Sequence, residues 1–391
     1  MDCRARRERP MRLARARARR RGPGHRTRRV LSLLACTLFA ISPAPCDEHV
    51  LVGGLFDAEF WKTDDGSRLL SRNDGDAAPG GRLRLWAASE FRPRLQGFVR
   101  GEAYGGKANS EYGTETELEQ AFVRYSFSEP RRLVIEAGQL LSPIGNFSRR
   151  YLSSVNPLIG SPDGYSLDYP LGVQATGQAG RFDYRAALVD RPFVNDRYVP
   201  QTGRALRPAL AAGLTPLVGT RLGVYATLGP YLGPRVASML SPGERWKDFN
   251  QTVYGLDVQF SHGYFELNGD YAHSSYEVPG GAPDVHGFAY FIEPKYSWSP
   301  RFFTALRLER NDYPYIAPLG PGVWLATTAD FYDAEVAAGC RLGAGALLKV
   351  AYRRDRWMVD DALKTFFPDG YALSAQLSYS FNVNSWFERP R

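Results

Sequence analysis

The chain has little cysteine, and most of it stands where it cannot serve a folded core. Cys3, Cys36 and Cys46 lie in the first 46 residues; only Cys340 lies beyond them. A chain that loses this leader has no intrachain disulfide and no cysteine-ligated metal cluster. Histidine is also scarce. His49, His262, His273 and His286 are dispersed, with no pair at metal-ligand spacing, so no metal and no cofactor is expected. Only one long apolar run exists, from Val30 to Ile41. No later segment approaches the roughly 18 apolar residues that a membrane-crossing helix needs. The basic excess is confined to the leader: residues 1–46 hold thirteen of the 49 basic groups and two of the 41 acidic ones. The remainder has 36 basic against 39 acidic groups, a net charge of −3. Nucleic acid is therefore not an expected partner.

The leader itself has the three parts of a secretory signal. Arginines precede the apolar run, and a small-residue exit follows around Ala44 to Cys46. Cleavage after Cys46 gives the division expected here: a signal peptide over 1–46, a folded body over 47–381 and a tail over 382–391. A lipoprotein signal ending at Cys36 is the weaker alternative, because too little apolar chain precedes it. Met11 is a second possible start of translation.

What the exported body does have is period-two alternation. In residues 331–343, Tyr332, Ala334, Val336, Ala338, Cys340 and Leu342 share one face, while Asp333, Glu335 and Arg341 lie on the other. The stretch 371–381 alternates Tyr371, Leu373, Ala375, Leu377, Tyr379 and Phe381 against Ser374, Gln376, Ser378 and Ser380. About sixteen such segments can be counted. They lie near 50–61, 82–92, 95–104, 117–127, 132–141, 170–178, 181–190, 208–215, 221–228, 251–260, 264–274, 285–298, 301–310, 330–342, 346–355 and 371–381.

The connections alternate as well. Even-numbered segments end in tight turns, such as Pro93-Arg94, Ala179-Gly180 and Ser299-Pro300, and odd-numbered ones in longer loops. A transmembrane barrel needs this arrangement, with short turns on the periplasmic side and longer loops outside. Backbone polar groups in hydrocarbon must be paired internally, and a sheet manages that only when it closes. Aromatic pairs beside the turns (Tyr125 and Phe127, Tyr296 and Trp298, Tyr379 and Phe381) suit an interfacial girdle. The expected fold is all-β: an antiparallel transmembrane barrel of about sixteen strands, with fourteen or eighteen as alternatives, whose last strand closes on residues 50–61. The expected place is the outer membrane of a Gram-negative-type bacterium, with membrane lipid around it.

Alternation also assigns an inner face. It carries Arg82, Arg84, Arg100, Glu102, Arg124, Glu136, Arg307 and Arg353, with both signs interleaved. Such charges set a selectivity field or form a salt-bridged wall; a lumen wide enough for water leaves them hydrated. The longest connection, 142–169, follows the fifth segment and is the third long loop. Its prolines and glycines suit a fixed irregular path. Folded inward, it narrows the lumen and places Arg149, Arg150, Asp163 and Asp168 at the constriction.

Two adjacent stretches carry a resemblance. "ELEQAFVRYSF" followed by "LVIEAGQLLSPIGNF" resembles the phosphate-selective porin O and P family through Glu119, Gln120, Ala121, Phe122 and Val123, then Gly138, Gln139, Pro143, Ile144 and Gly145. The likeness covers about 60 residues and implies a sixteen-stranded, usually trimeric diffusion channel for small hydrophilic solutes or ions. The phosphate label does not follow, because the chain has only six lysines and its arginines alternate with acids. Two rivals remain. His273 and Ser275 face outward two residues apart, as in an outer-membrane phospholipase, but no outward carboxylate or Asn on the next strand would orient the base. The other rival is a non-conducting structural barrel. The expectation is a channel and not an enzyme.

Overall fold

The computed structural model describes residues 50–67, 69–109, 113–127, 133–165, 168–193, 199, 202–360 and 364–383. Residues 1–46, where a signal peptide is expected, the turn at 128–131 and most of the tail after 381 lie outside them. The described chain forms sixteen antiparallel strands closed into one barrel. They are β1 Val50–Thr63, β2 Ala78–Arg92, β3 Leu95–Gly106, β4 Glu115–Ser126, β5 Val134–Gln139, β6 Leu171–Ala179, β7 Phe182–Val189 and β8 Arg207–Leu217. Then follow β9 Thr220–Pro230, β10 Asn250–His262, β11 Phe265–Tyr276, β12 Val285–Ser297, β13 Phe302–Gly320, β14 Val323–Gly343, β15 Ala346–Trp357 and β16 Gly370–Asn382. No helix among the described residues is long and apolar enough to cross a membrane.

Each strand pairs with its sequence neighbours, and β16 returns to β1 in register from Gly53↔Asn382 to Thr63↔Ala372. The seam is tight at Gly54: a Cβ there would come within 2.1 Å of the Phe381 ring. Only glycine lets that aromatic lie across the closing pair. The ladder outlasts the alternating segment by a little, since Val383 N–H donates to the Val52 carbonyl at 2.9 Å.

Burial is inverted relative to a water-soluble sheet. Val173, Leu256, Val336 and Leu373 point outward and are about half exposed, whereas their neighbours Gln174, Asp257, Glu335 and Ser374 point inward and are buried. Apolar outside and polar inside is the pattern of a barrel solvated by lipid. The girdle pairs lie near the short turns, with Tyr125–Phe127 and Tyr296–Trp298 ring centroids both 4.7 Å apart.

One connection departs from the expected alternation. The chain after β13 is not a long loop: β13 and β14 continue as a paired ribbon to the turn at 321–322. The stretch contains Pro314 and Pro318, which remove two backbone donors from the strand. They are tolerated because β12 stops pairing with β13 at Asp312, so above that point β13 has a free edge where a missing N–H costs nothing. Inner side chains of this ribbon, Ile316 and Trp324, pack with Tyr231, Leu232, Val236 and Leu240 of the 231–249 loop.

At the long-loop end, Asp64 ties the first loop to the barrel. Its carboxylate accepts from Ser71 Oγ (2.7 Å) and from the backbone N–H groups of Ser67 (2.6 Å), Gly66 (3.0 Å) and Tyr371 (2.6 Å). Desolvation opposes its charged form, but these donors outweigh it and hold the carboxyl below the ordinary range. A depressed folded pKa gives stability that is complete above the unfolded value of about 3.9 and lost as pH falls through the folded value. The expected result is that amide protection at Ser67 and Tyr371, corrected for intrinsic exchange, holds at about pH 6 and fades in acid. Asp64→Asn should lower it about tenfold at about pH 6, the loss of one charge-assisted bond, and abolish its pH dependence.

Candidate functional site

The site begins at the neck of the long connection between β5 and β6. On β4, Arg100 pairs with Gln120 and Gly101 with Leu118, so Glu119 is an extra residue in the ladder. A bulge re-aims its side chain. The Glu119 carboxylate accepts from Arg84 Nε (2.9 Å) and the Tyr151 hydroxyl (3.0 Å) and is ion-paired with Arg100, whose Nε lies 2.6 Å away. On the facing strand Gly138 has φ +139°, and a Cβ there would lie 2.2 Å from the Ala121 carbonyl oxygen. Gln139 donates its amide to the Leu118 carbonyl beside the bulge. Leu140 N–H donates to the Pro170 carbonyl at 2.8 Å and closes the neck. The motif residues thus build the anchor from which the loop departs.

From there residues 141–169 run against the inner wall, held strand by strand. Arg185 of β7 donates to the Pro143 carbonyl at 2.7 Å. Asp270 of β11 accepts from Asn146 N–H (3.0 Å) and the Tyr165 hydroxyl (2.7 Å). Arg150 pairs with Glu293 of β12 at 2.6 Å. Lys349 of β15, fully buried, places Nζ between the carbonyls of Ser153 (2.9 Å), Asn156 (3.0 Å) and Leu158 (2.9 Å). Glu335 of β14 accepts from Ile159 and Gly160 N–H at 3.0 and 2.9 Å. Glu309 of β13 accepts from Gly164 N–H at 2.9 Å.

An apolar contact completes the docking. Ala305, Ala337 and Ala351 lie side by side in register on β13, β14 and β15 and make a flat socket in an otherwise charged wall. Leu158 fills it and is fully buried. Burying that side chain contributes about 2 kcal/mol.

The wall charges separate into two groups. Arg82 and Arg84 pair with Glu102 at 3.1 and 2.5 Å, and Arg124 Nε donates to Glu136 at 2.6 Å. Arg307 bridges Glu293 (2.6 Å) and Glu335 (3.3 Å) with no exposed surface. Arg353 pairs with Asp333 at 2.6 Å and with Asp163 of the loop, and Asp168 stands 3.7 Å from Arg191. The expectation that water in a wide lumen keeps these groups hydrated is corrected. Arg84, Arg100, Glu136, Arg150, Arg307 and Arg353 are buried, because the loop occupies the volume that water would fill. Arg149 is the exception among the four loop charges: it is exposed, and no carboxylate lies within ion-pairing distance among the described residues. It stands within electrostatic reach of Arg221, Asp183 and Asp257, and Arg221 is already held by Asp183 at 2.7 Å and by Asp257.

Sequence reasoning did not single out Tyr151 or Leu158, and it placed Asp270 and Lys349 on the inner face without assigning them a part in the site. The alanine row was visible as small residues at alternate positions, but nothing marked it as a socket before the register was known. His273 and Ser275 do face outward. His273 stacks on Tyr254 (5.0 Å) and His286 (5.9 Å), and Ser275 lies opposite His286.

No protein-family model matches this chain, and no curated protein does. Solved structures do. OmpT, an outer membrane protein of Vibrio cholerae in trimer form, aligns with TM-score 0.54 at 10% identity over 85% of this chain and 99% of that one. An anion-selective porin from Comamonas acidovorans aligns with TM-score 0.57 at 10% identity over 86% and 100%. At such identity the likeness is one of fold: a sixteen-stranded barrel of outer-membrane type.

Proposed function

We propose that this protein is a porin: a passive channel, and not an enzyme, that lets small hydrophilic solutes or ions cross the outer membrane to the periplasm. One observation carries the reading. A lipid-facing closed barrel has a charged interior, and its third long loop is fastened across that interior by wall residues from β7 to β15. A purely structural barrel has no use for a shaped, polar, loop-narrowed interior. An anion preference is part of the proposal: Arg149 is the one exposed charge among the four named loop charges and is in no ion pair among the described residues, and one of the aligned structures is named as an anion-selective porin. Assembly as a homotrimer is part of the proposal, supported by the trimer form of the Vibrio cholerae protein. Membership in the phosphate-selective porin O and P family rests on the neck motif. A phosphate preference is not part of the proposal, since most of the wall arginines, among them Arg82, Arg84, Arg124, Arg221, Arg307 and Arg353, are matched by carboxylates.

The test is reconstitution of the mature chain in a planar bilayer. Discrete conductance steps are expected, with reversal potentials in asymmetric salt that favour the anion. Lipid hydrolysis without conductance would replace the channel with a phospholipase at Ser275 and His273. In liposome swelling, entry should fall steeply from a pentose to a trisaccharide; no entry of any sugar or ion would make it a structural barrel.

A further inference from the structure

The lipid-facing side of β15 changes character toward its long-loop end. Its outward residues are Leu348, Val350, Tyr352, Arg354 and Arg356, all exposed, while Lys349, Ala351, Arg353 and Asp355 between them are buried. Ala346, at the foot of the strand, stands opposite Tyr379 of the short-turn girdle. At a rise of about 3.4 Å per residue and a tilt of about 40°, Arg354 and Arg356 lie roughly 20 and 25 Å above that girdle. The apolar band of such a barrel is about 25 Å tall, so both guanidiniums reach the interface on the long-loop side, that of the outer leaflet.

Their neighbours in register do not answer these charges. Arg354 is flanked by Ala334 of β14 and Tyr371 of β16, and Arg356 by Tyr332 of β14. Beyond Tyr332 the row continues to Arg310 of β13, which is already satisfied. It donates to Asp330 at 2.8 and 3.1 Å, and its guanidinium lies 4.9 Å from the Tyr332 ring centroid. Asp330, diagonal to Arg356 across the ladder, is thereby taken, and Asp312 stands within electrostatic reach of the same Arg310. Neither Arg354 nor Arg356 forms an ion pair, with Asp360 or with any other carboxylate, among the described residues. Beneath them the surface is apolar again: Val336, Val350 and Leu373 are about half exposed. Two uncompensated arginines on a lipid-facing surface cost free energy unless an anion meets them there.

We propose that Arg354 and Arg356 bind the phosphomonoester headgroup of an outer-leaflet lipid. Two guanidiniums rooted about 7 Å apart along one strand match the charge of a phosphate dianion, and each offers a fork of donors to its oxygens. Tyr332, Tyr352 and Tyr371 frame the headgroup as an interfacial belt does, and Ala334 leaves room beside Arg354. The acyl chains lie along Val336, Val350 and Leu373. The partner is a lipid and not a free ion, because the two cations cap an apolar strip. The inference rests on the barrel's place in the outer membrane and not on what it conducts.

The experiment titrates the folded, full mature chain in neutral detergent with lipid A carrying two phosphomonoesters, or with the same lipid stripped of phosphate. Retained lipid is counted by native mass spectrometry. The phosphorylated lipid should be retained at about tenfold lower concentration, the factor that one charge-assisted bond supplies. The double change Arg354→Gln, Arg356→Gln should erase that difference; both positions are exposed, so no buried group is left unpaired. Arg354→Lys, Arg356→Lys should keep part of it. Arg301→Gln, which removes an exposed charge at the short-turn end, should leave it intact. Equal retention of the two lipids by the parent chain would overturn the proposal without recourse to any variant. Full displacement of the lipid by an equal concentration of inorganic phosphate would overturn it in favour of a free ion. A Gln double variant that keeps the preference would overturn it as well, and loss of the oligomer in that variant would assign this face to a contact between subunits. The channel reading survives each of these outcomes, and a barrel that binds the lipid but conducts nothing leaves this site standing.

Discussion

Excising residues 142–168 and joining Leu141 to Tyr169 through a few glycines and serines should raise single-channel conductance about fivefold or more, because a bare barrel of sixteen strands leaves an open aqueous channel. The barrel should survive the change. Leu140 and Pro170 are already hydrogen-bonded across the neck at 2.8 Å, so a short turn spans the gap without moving β5 or β6. Wall groups that the loop now covers, among them Lys349, Glu335 and Asp57, would meet water instead of being left unpaired in a dry interior. Anion preference should fall, since Arg149 leaves with the loop, and the largest sugar that enters should become larger. Conductance unchanged from the parent, in a barrel that still shows heat-modifiable mobility, would mean that the narrowing lies elsewhere. A milder version tests the docking alone. Leu158→Asp puts a charge against Ala305, Ala337 and Ala351 and should produce flickering openings of higher conductance as that part of the loop lifts.

The barrel could be read from the chain because its two faces have opposite solvents. Lipid outside and charge inside force a period of two through every strand, and Val336 beside Glu335 shows the signal at one step. Strand ends were less legible. Pro314 and Pro318 break a strand that has neighbours on both sides, and nothing in the sequence reveals that β13 loses one neighbour above Asp312. The loop path was not legible at all, because irregular backbone follows its partners and not a period. Arg149 and Arg150 are adjacent and chemically identical, yet one is exposed and the other is buried on Glu293. Only the register of β12 and the turn at Phe147–Arg149 separate their fates. The neck motif was found for its likeness to a family. Its physical content, a bulge at Glu119 and a glycine that no side chain could replace, appears only with the pairing.

Arg307→Met should be the most destabilising single change in the lumen. The guanidinium has no exposed surface. It bonds Glu293 Oε2 through Nη2 (2.6 Å) and Nε (3.1 Å), and through Nη1 it reaches the Gly160 carbonyl (2.9 Å) and Glu335 Oε2 (3.3 Å). It also lies near the Phe147 and Phe291 rings, 5.6 and 5.9 Å from their centroids. Methionine fills most of the volume but leaves two buried carboxylates short of a counter-charge, which costs about 3–5 kcal/mol. The heat-modifiability midpoint in detergent should fall accordingly. Arg307→Lys keeps the charge but cannot reach Glu293, Glu335 and Gly160 together, so it should lie between the parent and Met. The triple change Arg307→Met, Glu293→Gln and Glu335→Gln removes the orphaned charges while keeping amide groups for Arg150 and for the Ile159 and Gly160 N–H groups. It should recover more than half of the loss. If the triple variant is no more stable than Arg307→Met alone, the arginine acts by packing against Phe147 and Phe291 and not by holding carboxylates. The loop would then be fastened chiefly by Lys349 and the alanine socket, and Lys349→Met should become the variant with the largest rise in conductance noise.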